Sequence, residues 1–231
     1  LYYCDINLAH EKFSHFIDIA LEYSVELAIT PEYSFPWSVI ENSIQNGKLP
    51  SENNLWVLGC QSIKAHELYD LIQRRNNIIW IYEENLVNSN KNNTRFFDPV
   101  CILFNTKDFG GNTITVAIIQ FKSTLSAGSG FAWEHANLIL GTKKYVIENE
   151  IASIKLAIII CSDTLQTSPA LNFNDIQQGY FFNHPLLLIH IQLNDQPLRA
   201  VYKAYRNTIF DLGSIESHKK EIITLNWARN S

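Results

Sequence analysis

Residues 156–163 read LAIIICSD: five apolar positions in succession, Leu156 through Ile160, run directly into a cysteine, a serine and an aspartate. Successive side chains of a strand point to opposite faces, so an unbroken apolar run belongs to a strand covered on both sides. Such strands are typical of parallel sheets flanked by further layers. A cysteine directly after one sits at the carboxyl end of the strand, where open α/β sheets hold their ligands. The strand is predicted over 151–160. Residues 186–191 (LLLIHI) repeat the signature, and 27–30 (LAIT), 55–60 (LWVLGC) and 222–225 (IITL) are shorter versions of it.

Between these runs the apolar period lengthens to that of a helix, at 9–23, 37–45, 67–75 and 197–211. Pro31 is expected to halt the strand at 27–30, and Asn46-Gly47 to end the second helix. Residues 78–82 read as a further strand. Residues 100–105 and 113–121 are strands around DFGGN at 108–112, the strongest hairpin signal in the chain. The Asn-rich stretch 85–93 and the Ser/Gly-rich stretch 123–130 are expected to be loops, the second of them mobile. Buried strands separated by helices, with one hairpin between them, define an α/β protein. No repeat or composition shift marks a boundary, so 1–231 is read as one domain.

The net charge of -5 gives no basic footprint for nucleic acid. Arg74-Arg75, Lys143-Lys144 and Lys219-Lys220 are isolated pairs. The longest apolar runs are far shorter than a membrane span. The four cysteines, Cys4, Cys60, Cys101 and Cys161, have no metal-type spacing, and a reduced, cytoplasmic setting is the simplest reading. There is neither a Walker A loop nor a GxGxxG, so no nucleotide cofactor is expected.

Three polar residues stand where strands end: Glu32 in AITPEYSFP, Lys122 in IIQFKS and Cys161 in LAIIICSD. Singly each has an inert reading. A cysteine after an apolar strand is more often a small core residue, and a strand-end lysine or glutamate usually points to water. Together they form a nucleophilic kit, in which a carboxylate takes the thiol proton and an ammonium favours the thiolate and the tetrahedral oxyanion. Tyr33, Phe35, Trp37 and Trp133 flank these residues as core packing or as a pocket wall. His184 and His190 bracket a strand six residues apart, but no third metal ligand has a helpful spacing, and a hydrogen-bonded histidine is the simpler reading.

The ordered set resembles the nitrilase, or carbon–nitrogen hydrolase, superfamily, whose members share a Glu-Lys-Cys triad in this order. Glu32 in ITPEYSF, Lys122 at the end of a hairpin and Cys161-Ser162-Asp163 are similar to the three motifs, 90 and 39 residues apart. WEHANLILG adds Glu134 and Gly141, similar to the family's second glutamate and the glycine seven positions on. LLLIHIQLN, LRAVYKAYRNTIFDL and EIITLNWA extend the likeness over nearly the whole chain.

The resemblance implies a four-layer α-β-β-α sandwich and hydrolysis of a small-molecule amide or nitrile through a thioester-type intermediate on Cys161. Glu32 would move the proton. Lys122 and the backbone N–H of Ser162 would hold the oxyanion, and Glu134 would orient water or the attacking groups. Tyr33, Trp133 and Gln192 would contact substrate, with no metal or cofactor. The chain departs from the pattern at TLQTSPALNF, directly after the nucleophile motif, and at its ends, where the N-terminal strand is reduced to the residues before Asn7 and the chain stops soon after Trp227. These departures suggest a piece of a longer protein, as a homo-oligomer or fused to another domain. They also motivate a second expectation: an inactive nitrilase-like scaffold serving as a binding or oligomerisation module, for example in a bacterial defence reverse transcriptase. A phosphoesterase-like enzyme would need more metal ligands than Asn194, Asp195 and His218.

Overall fold

The computed structural model describes residues 5–75, 77–126, 131–149, 154–166, 185–194, 200–211 and 219–226. It resolves into two compact units, one comprising Leu1–Phe121 with Asn137–Gly141, the other Lys122–Ala136 with Thr142–Ser231.

The first unit opens with helix α1, Ile6–Glu22, begun by Asp5, whose carboxylate accepts from the N–H groups of Asn7 (3.0 Å) and Leu8 (3.1 Å). A side-chain acceptor at this position satisfies amides that a helix start leaves without partners. That cap is why the helix starts earlier than its apolar period suggests, leaving no strand among residues 5–7; residues 1–4, including Cys4, lie outside the described residues. Strand β1 is Leu27–Phe35, helix α2 Trp37–Gln45 and strand β2 Leu55–Cys60. Then come β3 (Ile63–Lys64), α3 (Ala65–Arg74), β4 (Ile79–Ile81), α4 (Glu84–Ser89), β5 (Phe96–Phe97), β6 (Pro99–Lys107) and β7 (Thr113–Phe121). The five-stranded sheet runs β1-β2-β6-β7-β4, with β1 parallel to β2 and the β6–β7 hairpin antiparallel at its centre. The hairpin turn is built on Asp108, which accepts from the N–H groups of Gly110 (2.8 Å) and Asn112 (2.9 Å), with Gly111 at φ 81°. The core of this unit is one cluster that includes Ile17, Phe35, Trp37, Trp56, Leu68, Leu71, Phe97 and Phe121.

Two expectations are corrected here. Pro31 does not end β1, because β1 is an edge strand, where a missing N–H is tolerated. The Asn-rich stretch is not all loop: Glu84–Ser89 is helical, with Val87 fully buried in the core. One well-placed apolar residue outweighs the polar composition around it.

The second unit holds helix α5 (Ala132–Asn137) except its last residue, strands β8 (Val146–Asn149) and β9 (Ile154–Ile160), a 3-10 helix at Cys161–Gln166, β10 (Leu186–Gln192), α6 (Ala200–Asp211) and β11 (Lys220–Asn226). Its sheet runs β11-β10-β9-β8, with β9, β10 and β11 parallel and β8 antiparallel to β9. Every residue of β9 after Ile154 is buried, as the continuous apolar run predicts. Ala157, Ile159, Leu186 and Leu188 pack against Tyr205 and Ile209 of α6. Lys220, at the start of β11, donates from Nζ to the carbonyls of Ile209 (3.3 Å) and Phe210 (3.2 Å), supplying a cation where the helix dipole is negative. Among the described residues no helix is long and apolar enough to cross a membrane.

Candidate functional site

Glu32 and Tyr33 lie in the first unit, in a bulge of β1. Thr30 pairs with Leu58 and Phe35 with Cys60, so β1 advances five residues while β2 advances two. Side chains pin the slack: the Ser34 hydroxyl donates to the Pro31 carbonyl (2.7 Å), and the Gly59 N–H donates to Thr30 Oγ1 (3.0 Å). Gly59 is a glycine for want of space. A Cβ there would stand 2.1 Å from the Pro31 carbonyl oxygen and 2.9 Å from the Glu32 nitrogen. The bulge leaves Glu32 only 1% exposed and Tyr33 in the left-handed region at φ 59°. A non-glycine residue in a sparsely populated region costs on the order of 1–3 kcal/mol, and such residues cluster at functional sites. Phe35 and Trp37 turn out to be core packing, and the Trp37 indole donates to the Gln61 carbonyl (2.9 Å).

In the second unit Lys122 is 1% exposed. Its ammonium lies 3.4 Å from Glu134 Oε1 and donates to Ser126 Oγ at 3.3 Å. The Glu134 carboxylate, itself buried, also accepts from the Ser126 N–H (2.9 Å, at Oε1) and from the Ser126 hydroxyl (3.0 Å, at Oε2). The imidazole of His135 donates to the Ser126 carbonyl at 2.6 Å. Helix α5 therefore grips residues 122–126 through four contacts, and the first part of the expected mobile loop is anchored; 127–130 lie outside the described residues.

Cys161 follows β9 as the first residue of the 3-10 helix, with φ 39°, a second left-handed non-glycine residue at a proposed site position. It is followed by Ser162, Asp163 and Thr164, all buried. The Asp163 carboxylate accepts from the Ser123 N–H (2.8 Å), the Ser123 hydroxyl (3.1 Å) and the Lys144 ammonium (3.0 Å). The Ser162 hydroxyl donates to the Thr124 carbonyl at 2.7 Å. The residues just after Lys122 and just after Cys161 are thus stitched together by three hydrogen bonds, and Lys144 bridges them further by donating to both Ser123 Oγ (2.9 Å) and Asp163. Charge-assisted bonds of this kind hold geometry better than neutral ones.

Beneath Cys161, buried His190 on β10 donates from Nε2 to the Cys161 carbonyl at 3.2 Å, and Thr164 Oγ1 donates to the same oxygen at 3.1 Å. His190 is therefore a hydrogen-bonded core histidine; His184 lies outside the described residues, as do Asp195 and His218. No metal-binding group of His, Cys, Asp and Glu occurs among the described residues. Gln192 is buried, accepts from Asn194 Nδ2 (3.3 Å) and leaves its Nε2 without a hydrogen-bond partner among the described residues. The Trp133 side chain is 60% exposed.

Burial pushes the His190 imidazole down to about 4 from its ordinary value near 6.5, partly offset by the bond to the Cys161 carbonyl. The folded chain thus holds this site neutral where the unfolded chain protonates it. Stability from neutral His190 is intact above about pH 6.5 and is lost progressively as pH falls to about 4, a loss approaching ~3 kcal/mol. His190→Gln, which keeps a donor but cannot titrate, should flatten that part of the acid limb when urea midpoints at pH 7 and pH 4.5 are compared.

No protein-family model matches the sequence, and no curated protein matches it. Solved structures do. Over most of its length the chain is structurally similar to an amidase of the nitrilase superfamily, and its mixed α/β fold is of that type. An amidase of the nitrilase superfamily from Nesterenkonia AN1 is similar at TM-score 0.50 and 10% identity, covering 96% of this chain and 71% of the amidase. A CN-hydrolase superfamily protein from Xanthomonas campestris, with an arsenic adduct in its active site, gives 0.49 and 11% over 97% of this chain and 71% of that one. The glutamine-dependent NAD+ synthetase of Acinetobacter baumannii gives 0.47 and 11% over 82% of this chain, which spans only 30% of the synthetase.

Sequence reasoning named Cys161, Lys122, Glu134, Ser162, Trp133 and Gln192, all in the second unit, and Glu32 and Tyr33 in the first. It missed Gly59, Ser126, Lys144, Thr164 and the part played by His190. Of these only Gly59 had a signal of its own, a glycine inside a buried strand.

Proposed function

We propose that this chain is a thiol-dependent hydrolase of a small-molecule amide or nitrile, with Cys161 as nucleophile, Glu32 as base and Lys122 as oxyanion-stabilising cation. The observation that carries the proposal is the backbone at Cys161: φ 39° at the carboxyl end of a buried parallel strand, with the following residues tied to those after Lys122. An inert core cysteine has no need of a strained backbone or of this bracing. The four-layer sandwich, the single-domain organisation, a cytoplasmic setting and self-association or fusion to another domain belong to the same proposal.

In the amide reaction the Cys161 sulfur attacks the carbonyl carbon as its proton passes to Glu32. The oxyanion is met by Lys122 Nζ and the Ser162 N–H. The C–N bond then breaks, and the amine leaves with the proton from Glu32. Water, giving a proton to Glu32, attacks the thioester; the C–S bond breaks and the thiol is restored. A nitrile instead adds the thiol, its proton passing by way of Glu32 to the nitrogen, to give a thioimidate; water adds to this, ammonia leaves to give the thioester, and a second water hydrolyses it as above. Glu134 acts by holding Lys122 and Ser126, and Gln192 Nε2 and Tyr33 contact the substrate, with Trp133 at the rim.

The test is acyl-adduct mass spectrometry after incubation with a mixture of small amides, nitriles and activated esters. The adduct is expected on Cys161 and not on Cys60 or Cys101. Burial raises the Cys101 thiol to about 12 and pushes the Cys60 thiol well up, so neither competes as a thiolate. Absence of any Cys161 adduct across the mixture would leave the inactive scaffold as the reading.

A further inference from the structure

The carbonyl of Cys161 accepts hydrogen bonds from two side chains on different elements: His190 Nε2 of β10 at 3.2 Å and Thr164 Oγ1 of the 3-10 helix at 3.1 Å. Both donors are fully buried, so solvent does not compete for them. A trans peptide is planar, and its C=O and N–H point in opposite directions. Fixing the oxygen of the Cys161–Ser162 peptide therefore fixes its N–H as well, and that N–H belongs to Ser162. We infer that His190 and Thr164 are positioning residues that aim the Ser162 N–H at the oxyanion; this rests on the hydrolase reading of the site.

Two further observations support the assignment. At φ 39° the Cys161 backbone lies outside the broad minima, and two bonds to its carbonyl hold it there. The imidazole offers the donor this role needs. Burial keeps it neutral, a carbonyl only accepts, and Nδ1 has no hydrogen-bond partner among the described residues, so the single ring proton sits on Nε2. An anchor that cannot titrate near neutrality keeps the donor aimed throughout the pH range in which a thiolate hydrolase works.

The experiment separates two reactions of one thiol. Acylation by p-nitrophenyl acetate passes through an oxyanion: the sulfur bonds to the carbonyl carbon, and p-nitrophenolate leaves with its electron pair. Alkylation by iodoacetamide displaces iodide and forms no oxyanion. Both rates are measured on the full chain for Thr164→Val, Thr164→Ser, His190→Leu and His190→Gln, together with the Ser162 amide resonance in 15N-labelled protein. Losing one aim-setting bond should slow acylation about 10-fold in the Val and Leu variants, below the ~100-fold effect of deleting an oxyanion donor outright. Alkylation should hold within about twofold, and Ser and Gln should restore most of the acylation rate, since each keeps a donor.

The Ser162 resonance should move in Thr164→Val and His190→Leu and return toward its original position in the donor-retaining variants. Thr164→Val leaves the histidine in place and serves if His190→Leu does not fold. Acylation and alkylation falling in parallel, or a Ser162 resonance unmoved in Thr164→Val, would overturn the inference. A wild-type chain that is alkylated but never acylated would overturn the hydrolase reading instead, and the amide resonance would then decide the positioning by itself.

Discussion

Cys161→Ala should abolish acyl-adduct formation and turnover while leaving the fold almost as stable as before. The chemical loss is complete because a methyl group cannot form the covalent bond. The residual rate should be at least ~1,000-fold down, as for other enzymes deprived of their nucleophile. The structural loss is small. Cys161 is 6% exposed and its sulfur is a modest apolar group, so its removal should cost about 1 kcal/mol, or a Tm shift of roughly 2–4 °C in a chain this size. The backbone at φ 39° is no harder for alanine than for cysteine. The two quantities are read together by calorimetry and by mass spectrometry of the treated protein. A variant that melts much lower would identify Cys161 as a packing residue, and an adduct that persists on another side chain would remove it from the chemistry.

Gly59→Ala should do the reverse, damaging stability and activity at a position with no chemistry of its own. Its Cβ would lie 2.1 Å from the Pro31 carbonyl oxygen and 2.5 Å from the carbonyl carbon, both rigid backbone atoms. Relief requires β1 to withdraw from β2 by about 1 Å or more, since ordinary carbon–oxygen contacts begin well above 3 Å. That movement breaks the bond from the Gly59 N–H to Thr30 Oγ1, loosens the Ser34–Pro31 bond and carries Glu32 with it. Overpacking of this kind costs about 3 kcal/mol. If Glu32 is the base proposed above, a displacement of about 1 Å there lowers turnover on the order of 100-fold. Urea denaturation gives the first figure and the acylation rate the second. Unchanged acylation in a folded Gly59→Ala variant would show that the bulge geometry does not serve Glu32, and a wild-type midpoint would show that the strand absorbs the methyl.

These two positions also mark how far the sequence could be read. Cys161 was legible because strand burial is written in local composition: the run from Leu156 to Ile160 has no polar interruption, and β9 is buried as predicted. The hairpin at Lys107–Thr113 was legible for the same reason, its turn chemistry being local to Asp108 and Gly111. Gly59 was not, because its constraint comes from Pro31, on the neighbouring strand. The helix at Glu84–Ser89 was missed because the burial of Val87 depends on what surrounds it. Strand β8 and helix α5 were missed because four and six residues carry too little periodicity to stand out.

Sequence alone determined the α/β class, the parallel strand that ends in Cys161, and the ordered residues Glu32, Lys122, Glu134 and Cys161, because apolar runs, turn signals and motif order are properties of a contiguous chain. Only the tertiary structure decided what holds those residues. Glu134 grips Lys122 through Ser126, Asp163 ties the turn after Cys161 to Ser123 and Lys144, and His190 reaches the Cys161 carbonyl from 29 residues away. Hydrogen bonds across such separations depend on strand register and helix placement, and neither is recorded in the neighbours of any one residue.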